Sequence, residues 1–404
     1  MADGSVAATK RFTAKREAIV AAATEILNQR GVRGMTLAGV AAEVGLITTS
    51  VTYYFKKKDE LAAACFASGI ARLMALTEVA RQEPTPTARV SRLLQLCVEM
   101  RARISGGAEP ALPVFSDIRA LSPGTHGAAA LAYRNLFHAV RRLLTDPETP
   151  WMGRAQATAR TQILLEQIHW MEVWLARYEV ADYSRACERM CDILLRGLAV
   201  ERDVWRPAPL KLGDARPTAP AELFLLAATR LINERGYRGA SVELISASLN
   251  VTKGSFYHHH NAKDDVVSTC FERSFDVIRR AQLAARDLAG DEWVRLTSSA
   301  AALVEFQFSG AGPLLRTSAL AALPETLRDE QLAASARISD RFAAMISDGI
   351  AQGSIRPVDP FIAAQMLSAT LNAAADLPVI LHGVRPHTAV ELYARPMFMG
   401  LTAQ

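Results

Sequence analysis

From Thr48 to Lys58 the chain reads TTSVTYYFKKK, and from Thr252 to Lys263 it reads TKGSFYHHHNAK. In the first stretch Thr48, Thr49, Ser50 and Thr52 supply hydroxyls, Tyr53 and Tyr54 add phenols, and Lys58 closes the run with charge. In the second, Thr252, Lys253, Gly254, Ser255, Tyr257 and His258 lead through two more histidines to Lys263. Hydroxyls both donate and accept, threonine methyls pack on apolar groups, and lysine attracts anions. This is contact chemistry, not bond-making chemistry. Other constellations are weaker. Glu166 and His169 have the Glu-x-x-His spacing of di-iron bundles, but no second copy accompanies them. Cys187 and Cys191 lie four apart on an expected helix and read as buried thiols. Successive side chains of the His258–His260 run rotate about 100° apart on a helix, so they do not converge on a metal. Asn250-Val-Thr252 is a sequon. No phosphate-binding loop, zinc-protease or nucleophile-elbow motif occurs, and no catalytic set emerges.

The elements that carry the two stretches repeat. Shifted by 205 residues, Glu17–Phe66 overlies Glu222–Phe271 without a gap, with 15 identities in 50 positions. Near the unit ends, at an offset of 203, Gly197 and Leu198 match Gly400 and Leu401. In the first copy Ile19, Ala22, Ala23, Ile26 and Leu27 form a helical stripe that Gly31 is placed to end. Thr36 is an N-cap candidate for a short helix with Leu37, Val40, Ala41 and Val44 on one face. Gly45 suits a positive-φ turn, and the hydroxyl-rich helix follows. In the second copy Ser241 caps, Val242, Ile245, Ser246 and Leu249 form the stripe, and Asn250 replaces Gly45. Two short helices joined by a tight turn behind a third describe a helix-turn-helix.

Strand patterns of period two are absent, and good helix formers dominate. Helices are expected over Arg89–Arg103, Ala128–Thr145, Ala155–Tyr178, Tyr183–Ala199, Trp293–Phe308, Leu332–Gln352 and Pro360–Ala374. The expected division is a first unit over 1–200 (head about 10–61, core about 62–200). A Pro-rich linker over 201–218 and a second unit over 219–404 (head about 219–266, core about 267–404) follow. The 404 residues, half of them hydrophobic, are enough for a substantial core. The N-terminal residues lack the apolar run of a secretory signal, no uncharged apolar stretch reaches membrane-spanning length, and five scattered cysteines suggest no disulfide framework. A cytoplasmic location without membrane association is expected. The net charge of +5 permits an anionic partner without naming one. Its distribution says more: residues 1–66 carry net +3 and residues 219–272 net −1.

GLITTSVTYYFKKKDEL and NVTKGSFYHHHNAKDDV resemble the signature of TetR/AcrR-type transcriptional regulators, over about 50 residues in each half. Thr52 departs from the usual tyrosine, Thr48 and Thr49 from Lys-Gly, and His260 from a core phenylalanine. The resemblance implies an all-α chain of two tandem units. In each, a three-helix head sits on a larger helical core with an effector pocket and a dimerisation surface in its last two helices. The chain would then be an intramolecular pseudo-dimer, with further self-association left open. It implies a non-enzymatic repressor needing no cofactor or metal, its partners a double-stranded DNA operator and a small apolar effector. In an alternative, only the first head binds DNA and the second half is a ligand-binding and dimerisation scaffold.

Carried onto this sequence, the DNA contacts are Thr48, Thr49, Ser50, Thr52 and Tyr53 at base edges, with Tyr54 and Lys58 on phosphates. Lys253 would read guanine, Thr252, Gly254, Ser255, Tyr257 and His258 would join it, and Lys263 would hold backbone phosphate. Thr36 and Ser241 would meet phosphate at helix starts. Effector candidates are His169, Trp170, Met171, Trp174 and Tyr178 on one helix face, with Phe115, His126, Tyr133 and His138 from preceding segments. Phe306, Phe308, Asn372 and His382 are their counterparts in the second half. The same faces also suit core packing or an interface. The two recognition segments differ at nearly every base-facing position, so the operator is expected to consist of two unlike half-sites.

Overall fold

A computed structural model describes residues 3–147, 149–200, 205–213, 216–249, 263–323 and 325–403. Among them there is no strand, only one isolated bridge from Ala199 to Ile355. The first head comprises α1 (Asp3–Gly34), α2 (Leu37–Glu43) and α3 (Thr48–Tyr54). Its core contains α4 (Lys58–Ala80), α5 (Pro86–Ser105), α6 (Pro123–Leu144), α7 (Arg154–Leu175) and α8 (Tyr183–Arg196). The second unit repeats the order as α9 (Pro220–Gly239), α10 (Val242–Ser248), α11 (Lys263–Arg286), α12 (Glu292–Phe306), α13 (Glu325–Gln352) and α14 (Pro360–Ala373). A 3₁₀ helix interrupts each core, at Phe115–Ala120 and at Thr317–Ala322.

Glycine and proline shape the ends of two of these elements. Gly31 breaks the regular helix as its placement implies, at φ 61°, with a last short turn running on to Gly34, and Gly236 breaks α9 in the same way at φ 70°. The last helical stretch of the second unit, where no helix is expected from the sequence, is broken into Pro386–Ala389, a π turn over Val390–Ala394 and Arg395–Met399. Pro396 cannot donate to the carbonyl of Leu392, and the widened turn lies immediately before it.

The repeat also holds its heads in the same way twice. Cys65 Sγ donates to the Val20 carbonyl at 3.6 Å and Cys270 Sγ to the Leu225 carbonyl at 3.5 Å, joining the first head helix to the first core helix. Asn28 donates to the Leu112 carbonyl and accepts from the Val114 amide, at 2.8 and 3.0 Å. Asn233 does the same with Leu314 and Arg316, at 2.8 and 3.0 Å. Each head is thereby clamped to the stretch of chain that opens its own 3₁₀ helix. All five cysteines are buried free thiols. Cys187 and Cys191 have sulfurs 4.0 Å apart, and burial pushes the Cys65 thiol up to about 11. Helix α4 is long and apolar enough to cross a membrane, and Leu61, Cys65, Phe66, Ile70 and Leu73 on it are buried in this core.

The two units are interlocked. Helix α7 packs along α14, and Gln167 donates to the Met366 carbonyl and Thr370 hydroxyl, both at 3.0 Å. Their C-terminal ends cross at Gly197 and Gly400. A Cβ on Gly197 would lie 2.1 Å from the Phe398 carbonyl oxygen, and one on Gly400 would lie 2.3 Å from that of Leu195. Only glycine permits this approach together with φ of 71° and 104°. Leu198 donates to the Phe398 carbonyl at 2.7 Å and Leu401 to the Leu194 carbonyl at 2.8 Å. Residues 205–213 of the expected linker run against the second unit. The Trp205 indole donates to Glu391 at 2.8 Å and stacks near Phe398, and the Ala208 amide donates to the Ser298 hydroxyl.

At the centre of the interface lies a buried ionic cluster. Arg316 pairs with Asp376 through Nη1 and with Glu166 of the other unit through Nη2 at 3.4 Å. Asp376 also receives Arg119 of the first unit at 3.3 Å. Burial pushes the Glu166 carboxyl up, and Arg316 opposes that shift. Removing one partner from such a cluster leaves uncompensated charge in the interior, at a cost of about 3–5 kcal/mol. Arg316→Ala is therefore expected to lower unfolding stability by about that amount in urea titrations. A loss below about 1 kcal/mol would mean that the cluster contributes no more than a surface pair.

Candidate nucleic-acid interface

In the first head Thr36 caps α2, accepting from the Gly39 amide at 3.0 Å. Gly45 then turns the chain with φ 64°. Val40, Ala41, Val51 and Phe55 are buried and seat α2 and α3 against α1. That seating decides which face of α3 is left in solvent. Thr48 and Thr49 are exposed, Ser50 and Thr52 are half-buried, and Tyr53 is 67% exposed. Ile47, just before the helix, is 71% exposed, an apolar side chain that the motif does not single out. The Thr52 hydroxyl donates to the Thr48 carbonyl at 2.9 Å, which leaves its lone pairs to accept.

The phenols are held by a residue outside the motif. Helix α1 starts at Asp3, before the expected head, and Phe12 near the start of that head lies 4.7 Å from the Tyr54 ring and 6.1 Å from the Tyr53 ring. Arg16, one turn later, lies over the Phe55 ring at 4.9 Å. Tyr54 is half-buried in this cluster, and Lys58, also half-buried, opens α4. Exposed Lys10, Arg11 and Lys15 continue the basic surface along α1. The charge run is legible in the sequence. The aromatic contact is not, because it joins residues about 40 positions apart.

In the second head Ser241 caps α10, accepting from Leu244 at 3.3 Å, and Ile245 is buried. Thr252, Lys253, Gly254, Ser255, Tyr257 and His258 lie outside the described residues, as does the Lys263 side chain at the start of α11. Asn250 and His260 lie outside them too.

The pattern model for bacterial regulatory proteins of the tetR family matches residues 19–65 and again 224–270. The HTH-type transcriptional repressor DhaR of Mycobacterium sp. (strain GP1) is 31% identical over 150 residues, covering 36% of this chain and 75% of that protein. The chain belongs to the TetR family. The transposon Tn10 TetC protein of Escherichia coli is 35% identical over 68 residues, 17% of this chain and 34% of that one. The solved structure of the TetR-family regulator PfmR from Thermus thermophilus shares 21% identity and aligns with a TM-score of 0.38, over 44% of this chain and 98% of that one. As a tandem TetR-family protein, the chain is a DNA-binding regulator of transcription.

Three of the effector candidates meet in the first core of this TetR-family chain. Phe115 lies 5.8 Å from Tyr133 and 5.4 Å from His169, and Tyr133 and His169 stack at 6.2 Å. The His169 Nε2 is shut off from solvent without a partner. Burial, aided by the positive charges of Arg101 and Arg316, holds its imidazole down at about 3. Trp170 donates across the interface to Gln365 at 3.2 Å. Trp174 is buried edge-on to Tyr178, with its indole N–H unpartnered. His138 lies elsewhere on α6, edge-on to Phe137, and burial and nearby arginines push its imidazole down. In the second core Phe306 is buried, and the Asn372 carbonyl oxygen accepts from the Thr317 amide and hydroxyl at 3.1 and 3.0 Å. Among the described residues no group of three or more His, Cys, Asp or Glu is placed to hold a metal.

Two outcomes are expected. Thr48→Ala and Tyr53→Ala change affinity unevenly across operator variants, by about 1–3 kcal/mol at a contacted pair. Lys58→Ala weakens all duplexes alike and lowers the salt slope by about one unit. Fluorescence anisotropy over a salt series separates these, and unchanged specificity in both Thr48→Ala and Tyr53→Ala would remove α3 from the interface. The second outcome concerns His169. In the unfolded chain its imidazole takes a proton from about pH 6.5, whereas in the fold it stays neutral to about pH 3. Stability is therefore untouched above the upper value and falls as pH drops through this window. Urea midpoints at about pH 7.5 and about pH 5 should fall further in the wild type than in His169→Phe. Equal falls would show that His169 protonates freely in the fold.

Proposed function

We propose that one polypeptide places two non-identical heads on one operator as a repressor, and that a small, largely apolar effector held in the first core releases it. The observation that carries this reading is the duplicated clamp. Asn28 and Asn233 tie each head to the chain that opens its 3₁₀ helix, so a shift in that segment reaches the head directly. In the first core Phe115 belongs to this segment and packs against His169 and Tyr133, so an apolar ligand that takes its place there would move the segment. A ligand that favours one position of the segment shifts the population of head positions by its differential affinity. That DhaR is named a repressor supports the sign of regulation.

The heads are expected to contribute unequally. The first carries net +3 and the second net −1, and phosphate attraction supplies most non-specific affinity. This difference favours, as a second reading, a regulator in which only the first head touches DNA. Both readings are judged with the full chain and a duplex that it selects from a random library. Native mass spectrometry is expected to show one chain on one minimal duplex. Scrambling either half-site should weaken binding, more for the first head's. Binding near pH 6 should tighten only the second half-site, as His258, His259 and His260 gain charge. A stable complex that requires two chains would overturn the pseudo-dimer on DNA. Indifference to one half-site at both pH values would favour the single-head reading.

A further inference from the structure

The two 3₁₀ helices face across the molecule. Helix α9 of the second head packs against Phe115–Ala120 of the first core, and α1 of the first head touches Thr317–Ala322 of the second. Only one of these crossings carries an arginine in the equivalent place. The segments Leu112–Val114 and Leu314–Arg316 correspond at an offset of 202, since Asn28 and Asn233 hold them alike. On that offset Arg119 falls on Ala321, which has no side-chain donor.

Arg119 Nη1 donates to the backbone carbonyl of Asn233, and its Nη2 reaches Asp376 at 3.3 Å. Asn233 therefore meets both cores: its amide grips its own core at Leu314 and Arg316, and its carbonyl accepts from the other. It sits three residues before the Gly236 kink that leads into the rest of the second head. Beside this joint lies a small, largely enclosed crevice between α9 and the 3₁₀ helix, with Asp117, Arg119, Asn233, Tyr237 and Arg316 on its walls. The joint is thus held by directed hydrogen bonds, whose geometry fixes where α9 sits against the first core.

We propose that Arg119 is a positioning residue through which the first core sets the pose of the second DNA-binding head. Control is crossed: Phe115 and Arg119 lie on the same short 3₁₀ helix, so a ligand that displaces Phe115 moves Arg119 and, with it, α9. In the second unit Ala321 stands at the place of Arg119 and Thr317 at that of Phe115, and the Thr317 amide and hydroxyl donate to Asn372. The first core then acts on both heads, on its own through Asn28 and on the other through Arg119. This rests on the reading of the second head as DNA-binding, but the contact itself is judged without DNA.

The test uses the full chain as wild type, Arg119→Ala and Arg119→Lys. Lysine keeps the charge beside Asp376 but gives up the two-armed reach to Asn233. Hydrogen exchange is expected to speed up at residues 231–239 in both variants, with residues 26–34 unchanged. Phe115→Ala should speed exchange at 231–239 in the wild type and add nothing in the Arg119→Ala background, as coupled residues do. On the selected duplex, Arg119→Ala should weaken binding about tenfold, the scale of one charged hydrogen bond. That loss should vanish when the second head's half-site is scrambled, the first being the one whose protection depends on Thr48. Equal exchange changes in the two heads, or Phe115 and Arg119 effects that simply add, would overturn the proposal. A second head that proves indifferent to DNA while its exchange responds to Arg119 would overturn the two-headed reading and leave the positioning contact standing.

Discussion

Arg316 is the point on which the two units agree. Its guanidinium is buried, and among the described residues its ion-pair partners are Asp376 beside it and Glu166 across the interface. Charges taken out of water are costly unless paired in good geometry. Sliding α7 along α14 by one turn would separate Arg316 from Glu166 and leave both in the interior. The surrounding apolar surface would tolerate many such slides, because alanine, leucine and methionine pack against one another with little selectivity. The cluster therefore penalises the wrong registers more than it stabilises the right one. Every other feature of the interface, from the Gln167 bonds to the crossing at Gly197 and Gly400, presupposes that register.

The same cluster is where sequence reasoning has least to work with. Helix positions follow from periodicity, and most of the expected core helices begin and end within a few residues of those observed. Two kinds of element escape. The N-terminal extension of α1 carries no cap or breaker to announce where it starts, and the contact of Phe12 with Tyr54 joins positions too far apart for periodicity to link. The broken end of the second unit is hidden by its likeness to α8, although Pro386 and Pro396 stand in plain view as local objections to a continuous helix. The α3 face is legible because the motif is written twice and the buried positions Val40 and Val51 fix its complement. Glu166, Arg316 and Asp376 are not, since their pairing spans 150 and 60 residues. The available signal is a lone charge within an apolar run, as in LLEQIHW and GPLLRTS, whereas the spacing of Glu166 to His169 points only toward a metal.

The duplicated and the unique features divide the labour between the halves. What is repeated holds heads to cores: the asparagine clamps, the thiol contacts and the kinks at Gly31 and Gly236. What is not repeated is the Phe115–Tyr133–His169 cluster, Arg119 and the basic start of α1, the features proposed to sense and steer. The first unit holds all three of these. The second contributes the pinned Asn372 contact and a less basic head.

Joining the units in one chain has a consequence for how such a protein can diverge. In a pair of identical subunits related by a two-fold axis, each substitution arrives twice and must suit both of its appearances. A lone arginine facing a lone glutamate across the axis would there have to come as a mirrored couple. Residues 205–213, bound along the second core, turn the encounter of the halves into an event within one molecule, insensitive to dilution. Each interface position then answers to a single partner, and the halves are free to specialise one residue at a time.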